Sequence, residues 1–199
     1  MIPTKESVEP DDRQLVRTIR DGHTDAFEQL VRRKTSKVYA LCYRIIGNAE
    51  DAKDISQLVF IKLWENLEMY DPQYAFDTWL YRMVTNVAID FLRNKQSRDN
   101  AVNSNLRLVK TAADAEQAVT VQRKEVETVF NTVAAVLSPK QKTIFVMSEM
   151  EDLRSSEIAK VLGCRESTVR NHLFNARKLM QQQLKQRFPE YARLWEESQ

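Results

Sequence analysis

The sequence predicts an all-α protein made of two small helical domains joined by a flexible linker. Three glycines and five prolines in 199 residues leave little material for the turns of a sheet protein. Apolar residues recur at helical spacing in two blocks, and this periodicity fails between them. We therefore expect an N-terminal tail at 1–10, a four-helix domain at 11–95, a linker at 96–120, a helix-turn-helix domain at 121–183 and a C-terminal extension at 184–199.

Four amphipathic segments make up the first block. Glycine favours the left-handed backbone conformation that ends helices, and Thr and Asn side chains favour the position that begins them. Thr24 and Asn48 are the predicted caps, and acidic residues follow both of them, where they stabilise a helix N-terminus. We predict helices that end near Gly22, run from Thr24 to Gly47, run from Asn48 to about Leu67, and run from Thr78 to about Asn94.

The predicted third helix is too apolar for an ordinary surface helix. One stripe is expected to face the core and consists of Ile55, Leu58, Val59 and Leu63. A second stripe is offset around the helix and consists of Gln57, Phe60, Ile61 and Trp64. Such a helix is either deeply buried or docks a partner with its second face, and burial is the default expectation.

The predicted fourth helix carries a polar stripe beside a group of aromatic residues. The stripe places Arg82, Asn86, Asp90 and Arg93 at i, i+4, i+8 and i+11. The neighbouring aromatic residues are Tyr70, Tyr74, Phe76, Trp79 and Tyr81. Rings next to Asn and Arg suit unstacked bases, because stacking contributes about 1–3 kcal/mol per base. Alternatively, several rings, Trp79 among them, belong to the core, and the stripe forms ion pairs in water.

The second block begins with a strong helix start and contains a helix-turn-helix pattern. Ser138 is a predicted cap, Pro139 fits the first helical position, and Gln141 completes a capping box. Within residues 156–178, Ala159 is small at the point where two helices must cross closely. Gly163 lies where the turn between them needs a positive φ. The seam between the two helices is predicted to contain Ile158, Leu162, Val169 and Leu173.

The outer face of the second helix of this motif is basic and polar. Six Lys and Arg residues stand against one Glu between positions 165 and 187. By contrast, residues 1–96 hold fourteen Lys and Arg against fifteen Asp and Glu. Side chains of these types contact phosphates and base edges in the major groove, so we predict duplex DNA binding. The candidate residues are Arg165, Ser167, Thr168, Arg170, Asn171, Asn175, Arg177 and Lys178.

Several classes of protein are disfavoured by the sequence. We find no phosphate loop, nucleophile motif, paired catalytic carboxylates or metal-ligand cluster, so we expect no catalytic residues, no metal and no cofactor. Cys42 and Cys164 lie far apart in apolar patterns, which indicates reduced core thiols. No run approaches the ~18 apolar residues of a membrane span, and the N-terminus is not signal-like. We expect a cytoplasmic protein without membrane insertion or a small-molecule substrate.

Two blocks in this order resemble the extracytoplasmic-function sigma factors, the small two-domain members of the bacterial sigma-70 family. The resemblance covers roughly residues 12–95 and 125–180. In the second block it extends from LSPKQKTIF at 137–145 into the helix-turn-helix. In the first block it is carried by GHTDAFEQL at 22–30, AEDAKDISQLVFIKLW at 49–64 and TWLYRMVTNVAIDFLR at 78–93.

The resemblance implies a binding partner for each surface. The third helix would bind the β′ clamp helices of core RNA polymerase through Asp51, Asp54, Gln57, Phe60, Ile61 and Trp64. The fourth helix and the loop before it would read the −10 promoter element through Tyr70, Tyr74, Phe76, Arg82, Asn86, Asp90 and Arg93, with Asn86 at a flipped base. The helix-turn-helix would read the −35 duplex and approach the β flap, and an anti-sigma factor is a further possible partner. The implied function is promoter recognition and opening; a stand-alone transcription regulator is the alternative.

Some positions depart from the family pattern. Leu58 stands where an acidic residue is common, which removes a polar clamp contact. Arg154 and Arg165 occupy usual capping positions, so we expect Ser155 or Ser167 to cap instead. His172 and Asn175 replace frequent Arg residues, which leaves the −35 sequence open. The extension from 184 is expected to pack on the second domain as a short amphipathic helix or to bind a regulator.

Overall fold

The computed structural model describes residues 10–102 and 119–191, with the side chains of 99–102 and 119–124 left undescribed. Within these ranges the ordered elements are helical, which confirms the all-α prediction. The interior of the predicted linker and the last eight residues of the extension lie outside the described part. The helices are α1 (Asp12–Arg20), α2 (Asp25–Ile46), α3 (Ala49–Asn66), α4 (Phe76–Val102), α5 (Val119–Ala134), α6 (Pro139–Glu149), α7 (Ser155–Leu162) and α8 (Glu166–Arg187), with a 3-10 turn at Leu67–Met69 after α3.

The helix ends in the first block follow the predicted chemistry at most positions. Gly47 ends α2 with φ of 79°, and the Asn48 side chain accepts a hydrogen bond from the Asp51 backbone N–H at the start of α3. Thr24 does not cap α2 with its side chain, so this prediction was wrong. Its backbone is already helical, whereas a capping side chain needs an extended residue to reach the first free N–H groups.

Helix α4 is longer than the sequence indicated. It begins two residues before the predicted start and continues to Val102, well past the predicted end near Asn94. Lys95, in the added part, donates to Asp51 at the start of α3 over 2.6 Å. Its Nζ also lies 5.6 Å from the Phe91 ring centroid. The contact with Asp51 is tertiary and the contact with Phe91 lies within α4, and both support the helix just past its predicted end.

In the second block, two of the predicted helix signals are present in the structure. Ser138 and Gln141 form the reciprocal capping box, with hydrogen bonds of 3.0 and 3.3 Å. Gly163 adopts φ of 60° in the turn between α7 and α8. The seam residues Ile158, Val169 and Leu173 are buried, and Leu162 is half-buried.

The expected caps at Ser155 and Ser167 are not formed. Arg154 and Arg165 hold the extended N-cap positions themselves, and neither side chain caps its helix by accepting a backbone hydrogen bond. In α7, the Glu157 carboxylate accepts from the Arg154 backbone N–H at 2.8 Å. The helices therefore begin where the family pattern places them, although the capping residue has changed.

The two blocks pack against each other. Helix α4 contacts α6 and α7, and α2 contacts α6. The Glu151 carboxylate, between α6 and α7, accepts hydrogen bonds from Arg44 and from the Tyr81 hydroxyl. The Tyr43 hydroxyl donates to Glu127 of α5 over 2.9 Å. Polar side chains of α2 and α4 thus bind the second block directly.

Candidate nucleic-acid interface

The second stripe of α3 lies on the surface. Ile61 is 55% exposed, Trp64 is 48% exposed, and Gln57 is exposed beside them. Phe60 is half-buried, and the Trp64 ring packs edge-on against Phe27 with centroids 4.8 Å apart. The default expectation of burial was therefore wrong for this stripe. An exposed apolar face of this kind is typical of a protein-binding surface.

The two acidic residues near the start of α3 that are predicted to bind polymerase differ in exposure and in ion pairing. Asp54 is exposed one turn before Gln57, whereas Asp51 pairs with Lys95 of α4. Leu58, predicted to belong to the core stripe, is 38% exposed and lines a cleft instead. Four residues of α3 thus present a continuous mixed face, namely Asp54, Gln57, Ile61 and Trp64.

The predicted polar stripe of α4 is exposed along the helix. Asn86, Asp90 and Arg93 are exposed, and Arg93 lies 3.7 Å from the Asp90 carboxylate. Asn86 and Asp90 also line a cleft of about 420 Å³ between α3 and α4, together with Leu58. This cleft offers amide and carboxylate groups beside an apolar wall, which suits a nucleobase edge.

Arg82, at the start of the stripe, lies against the turn of the helix-turn-helix. A Cβ atom added to Gly163 would lie 2.5 Å from its Nη2 atom. The guanidinium therefore occupies the space that the absent side chain leaves. Arg82 is therefore the member of the stripe that lies against Gly163 of the second block.

The aromatic residues before α4 divide into core and surface. Tyr70 and Phe76 are 2% and 3% exposed and pack with Trp79, with ring centroids 5.3 to 5.9 Å apart. The expectation that Tyr70 and Phe76 stack on bases does not agree with this burial, because neither ring face is accessible. Tyr74, in the same loop, is 64% exposed and can offer its ring to a base.

The outer face of α8 presents most of the predicted DNA-binding residues. Arg170 lies 3.4 Å from Glu166 one turn earlier, and Arg177 donates to Glu149 of α6 over 2.7 Å. Thr168 is half-buried, since it lies beside the seam. The exposed members are Arg165, Ser167, Arg170, Asn171, Asn175, Arg177 and Lys178.

Two residues on this face add to the sequence prediction. Phe174, which sequence reasoning missed, is 67% exposed among the polar residues. Its position four after Arg170 was the available signal, since i and i+4 share a helix face. Partial burial, with a smaller effect of Lys140, lowers the pKa of His172 below its ordinary value. The imidazole is therefore neutral at physiological pH and brings hydrogen bonding, not charge, to the face.

The described residues hold no group of three or more His, Cys, Asp or Glu side chains arranged to bind a metal ion. Burial raises the pKa of the Cys42 thiol to about 12, so this thiol is protonated and unreactive at neutral pH. Among the helices of the described part, none has the length and apolarity to span a membrane.

Comparisons with known proteins match both blocks to one family. The Sigma-70 region 2 model matches residues 30–98, and the Sigma-70 region 4 model matches residues 130–180. ECF RNA polymerase sigma factor SigW of Bacillus subtilis is 28% identical over 182 residues, covering 87% of this chain and 96% of that protein. RNA polymerase sigma-H factor of Pseudomonas aeruginosa is 30% identical over 182 residues, covering 87% and 93%. ECF RNA polymerase sigma-E factor of Escherichia coli K12 is 30% identical over 175 residues, covering 83% and 90%.

Two solved structures share the fold. CnrH, solved in complex with the cytosolic domain of CnrY, is 22% identical with a TM-score of 0.63 and covers 88% of this chain and 98% of its own. The sigma factor RpoE of Bartonella quintana, solved with the anti-sigma factor NepR, is 18% identical with a TM-score of 0.61 and covers 81% and 98%. At these identities the similarity concerns the fold alone.

Proposed function

The chain belongs to the extracytoplasmic-function group of RNA polymerase sigma factors, and from this membership we propose a role for each exposed surface. As a sigma factor it binds core RNA polymerase, directs it to promoters through the −35 and −10 elements, and promotes promoter opening. Sigma factors are non-catalytic initiation factors, and we expect this one to have no enzymatic activity of its own. Its partner, core RNA polymerase, works in the bacterial cytoplasm, where we expect the protein to act.

The α3 face is the proposed polymerase-binding surface. The observation that carries this role is the exposure of Ile61 and Trp64 on a helix whose opposite side is buried. Trp is among the residues that dominate protein interfaces, and Asp54 and Gln57 supply hydrogen-bonding groups at the edge. We propose the β′ clamp helices as the partner of this face and the β flap as the partner of the second block.

The α4 stripe and the loop before it are the proposed −10 site. Asn86 and Asp90 offer hydrogen-bonding groups to an unpaired base, and Tyr74 offers an exposed ring for stacking. Arg82 and Arg93 would contact the strand backbone. Tyr70 and Phe76 shape the loop from the core, so their contribution to the site is indirect. Opening then depends on trapping extruded bases and needs no covalent step.

Helix α8 is the proposed −35 reader. Arg170, Asn171 and Asn175 project from its first turns, where a recognition helix meets base edges, and the other basic residues suit phosphates. Separate contacts to the −35 and −10 elements reinforce each other once polymerase fixes their spacing. We also propose an inhibitory protein partner of the anti-sigma type, for which the exposed α3 face is an available target.

Promoter-specific transcription in vitro tests the proposal. Bacterial core polymerase is incubated with and without the protein on a genomic promoter library, and RNA start sites are mapped. Discrete start sites that require the protein, preceded by two shared sequence elements, are the expected result. Failure to bind core polymerase while sequence-specific duplex binding persists would contradict it and indicate a stand-alone regulator.

A further inference from the structure

Arg20, the last residue of α1, binds the backbone at the end of α3. Its Nη2 group donates to the carbonyl oxygens of Leu67, Glu68 and Tyr70 at 2.7, 2.9 and 2.6 Å. The Arg20 side chain is 23% exposed, and its Nε lies 3.5 Å from the Glu68 carboxylate. One guanidinium therefore gathers three carbonyl groups of the 3-10 turn after α3, of which the Leu67 carbonyl also accepts the Tyr70 backbone N–H over 3.2 Å.

A second tie closes the segment that follows. The Tyr70 hydroxyl donates to the Tyr74 carbonyl oxygen over 2.7 Å, while its ring is fixed in the core against Phe76. Inside this span the Asp71 side chain accepts from the Gln73 N–H at 2.9 Å, and the Asp71 carbonyl accepts from the Tyr74 N–H at 3.1 Å. The loop is held at its stem by Arg20, across its width by Tyr70, and internally by a turn.

Tyr74 is the side chain that this bracing presents to solvent. Its backbone carbonyl is fixed by Tyr70, yet its ring is 64% exposed. Because the backbone of this loop is already fixed before binding, the Tyr74 ring is in position when a base arrives. The loop then loses less conformational entropy on binding. The contacts on the Glu68 carboxylate are peripheral, because that side chain is 79% exposed.

We propose that Arg20 is a positioning residue for base capture in the −10 element. It acts through the backbone of Leu67–Tyr70, and it does so from α1, which carries none of the residues proposed to bind DNA or polymerase. All three hydrogen bonds come from the single Nη2 atom, so a lysine ammonium can replace them only as far as its shorter side chain reaches these carbonyl oxygens. This inference rests on the proposed −10 role of the loop.

The test uses holoenzyme and forked promoter DNA whose −10 non-template strand is unpaired. Abasic scanning with wild-type protein first identifies the captured base. Arg20→Gln and Arg20→Lys are then compared on templates with and without that base. Arg17→Gln is the matched control, since Arg17 is an exposed arginine one turn earlier in α1. Core polymerase affinity and the thermal midpoint are measured for every variant.

We expect Arg20→Gln to weaken open-complex formation roughly 10-fold on the intact template, the size expected for one stacked base. On the abasic template its effect is expected to fall below about 2-fold, because the interaction that the loop makes is already absent. Arg20→Lys is expected to lie between Arg20→Gln and wild type, and Arg17→Gln to match wild type on both templates. Equal losses on both templates, or no loss on either, would overturn the proposal.

Tyr70→Phe provides a second variant if Arg20→Gln does not fold. It removes the hydroxyl tie to Tyr74 and keeps the buried ring, so the fold is expected to survive. The same selective loss on the intact template is expected, and its absence would also count against preorganisation of the loop. If wild-type protein forms no open complex with core polymerase, the proposed function itself fails, an outcome that the abasic comparison cannot produce.

Discussion

At the scale of single residues, Lys34 joins three helices of the first block from a buried position. Its ammonium lies 2.5 Å from Asp12 of α1 and 2.7 Å from Asp77 of α4. Partial burial favours a raised pKa for Asp77, but the hydrogen bonds and charges of Lys34 and Lys37 outweigh it and lower the pKa below its ordinary value. The pair thus fixes the start of α4, where the proposed −10 stripe begins.

Lys34→Met is expected to lower the free energy of unfolding by about 2 kcal/mol, because it leaves two carboxylates without their shared cation. This is below the range for fully buried pairs, since the Asp77 side chain is 41% exposed. Urea unfolding followed by circular dichroism measures the change. Lys37→Met is the control, and we expect it to cost under about 1 kcal/mol, as is usual for an exposed pair. Equal costs would contradict the central role of Lys34.

The pH dependence of this difference has a defined sign. A carboxyl whose pKa is lowered in the folded state adds stability above its ordinary pKa and loses it as the pH falls through the folded value. The difference in free energy of unfolding between wild type and Lys34→Met should therefore be constant near neutrality and shrink below about pH 4. A gap that persists unchanged at pH 3 would indicate that packing, not charge, is the source.

At the scale of elements, α3 shows what periodicity can and cannot predict. The sequence separated two apolar stripes and misplaced only Leu58 of the inner one, but it does not reveal whether a second element covers the outer stripe. The structure leaves Ile61 and Trp64 exposed, and it moves Leu58 from the core to a cleft. Whether a face is covered depends on contacts distant in sequence, which a local pattern does not contain.

Trp64→Ala is expected to weaken core polymerase binding by roughly 10-fold or more, as is typical for an interface aromatic residue. Ile61→Ala should have a smaller effect in the same direction. Lys62→Ala is the matched control on the same helix, because Lys62 is exposed toward the α3–α4 cleft. Binding is measured by fluorescence anisotropy of labelled protein, and the thermal midpoint corrects for the lost contact of Trp64 with Phe27. A Lys62→Ala loss equal to that of Trp64→Ala would place the polymerase elsewhere.

Arg170 of α8 is expected to carry sequence recognition, since bidentate contacts to guanine contribute about 1–3 kcal/mol of discrimination. Its exposed pair with Glu166 is weak and should yield readily to DNA. Arg170→Ala should therefore reduce holoenzyme binding to the cognate −35 sequence by roughly 10-fold and leave binding to a scrambled −35 sequence nearly unchanged. Arg187→Ala, at the far end of α8, serves as the control. Equal losses on both sequences would identify Arg170 as a phosphate contact.

At the scale of the whole molecule, the sequence predicted the fold class because helix signals are local. The cap at Ser138, the turn at Gly163 and the end of α2 at Gly47 each depend on residues within one turn. The burial of Tyr70 and Phe76 depends on Trp79 and on the distant Lys34, whose ammonium lies 5.7 Å from the Phe76 ring centroid. Composition identified an aromatic cluster, but could not separate its core members from exposed Tyr74.

The packing of the two blocks was likewise beyond local patterns, and it has a functional consequence. Glu151 holds the second block to Arg44 and Tyr81, next to the place where Arg82 meets Gly163. The Glu151 side chain is only 11% exposed, so its contacts are largely desolvated. Arg82 is exposed, but its guanidinium lies against Gly163, so we expect separation of the blocks to free it for the proposed contact with a promoter strand.

Glu151→Gln is expected to favour separation of the blocks by roughly 2 kcal/mol, because a neutral amide replaces the charged acceptor of two donors. Small-angle scattering of the free protein should then give a larger radius of gyration than wild type. Glu149→Gln is the control, since Glu149 pairs with Arg177 inside the second block. An unchanged radius for Glu151→Gln, or an equal increase for Glu149→Gln, would show that this contact does not hold the blocks together.

Lys142 of α6 gives the packed arrangement a dependence on pH. Burial, reinforced by the charge of Lys95 on α4, lowers the pKa of Lys142 to about 8. Its Nζ lies 5.8 Å from the Phe130 ring centroid. Between pH 8 and the ordinary lysine pKa near 10.5, the folded protein therefore binds fewer protons than the unfolded chain. The contribution of Lys95 is lost when the blocks separate, so we expect their packing to become more favourable as the pH rises through that window.

Scattering of the wild-type protein should accordingly show a smaller radius of gyration at pH 9.5 than at pH 7, with a free-energy change on the order of 1 kcal/mol. Lys142→Met keeps the length of the side chain and removes its charge, so the variant should already be compact at pH 7 and respond less to pH. Lys140→Met, on the same helix, is the control and should keep the wild-type response. A radius of gyration that grows between pH 7 and 9.5 would show that the charge of Lys142 does not oppose packing of the blocks. The packed arrangement would then depend on the contacts of Glu151 and not on the protonation of Lys142.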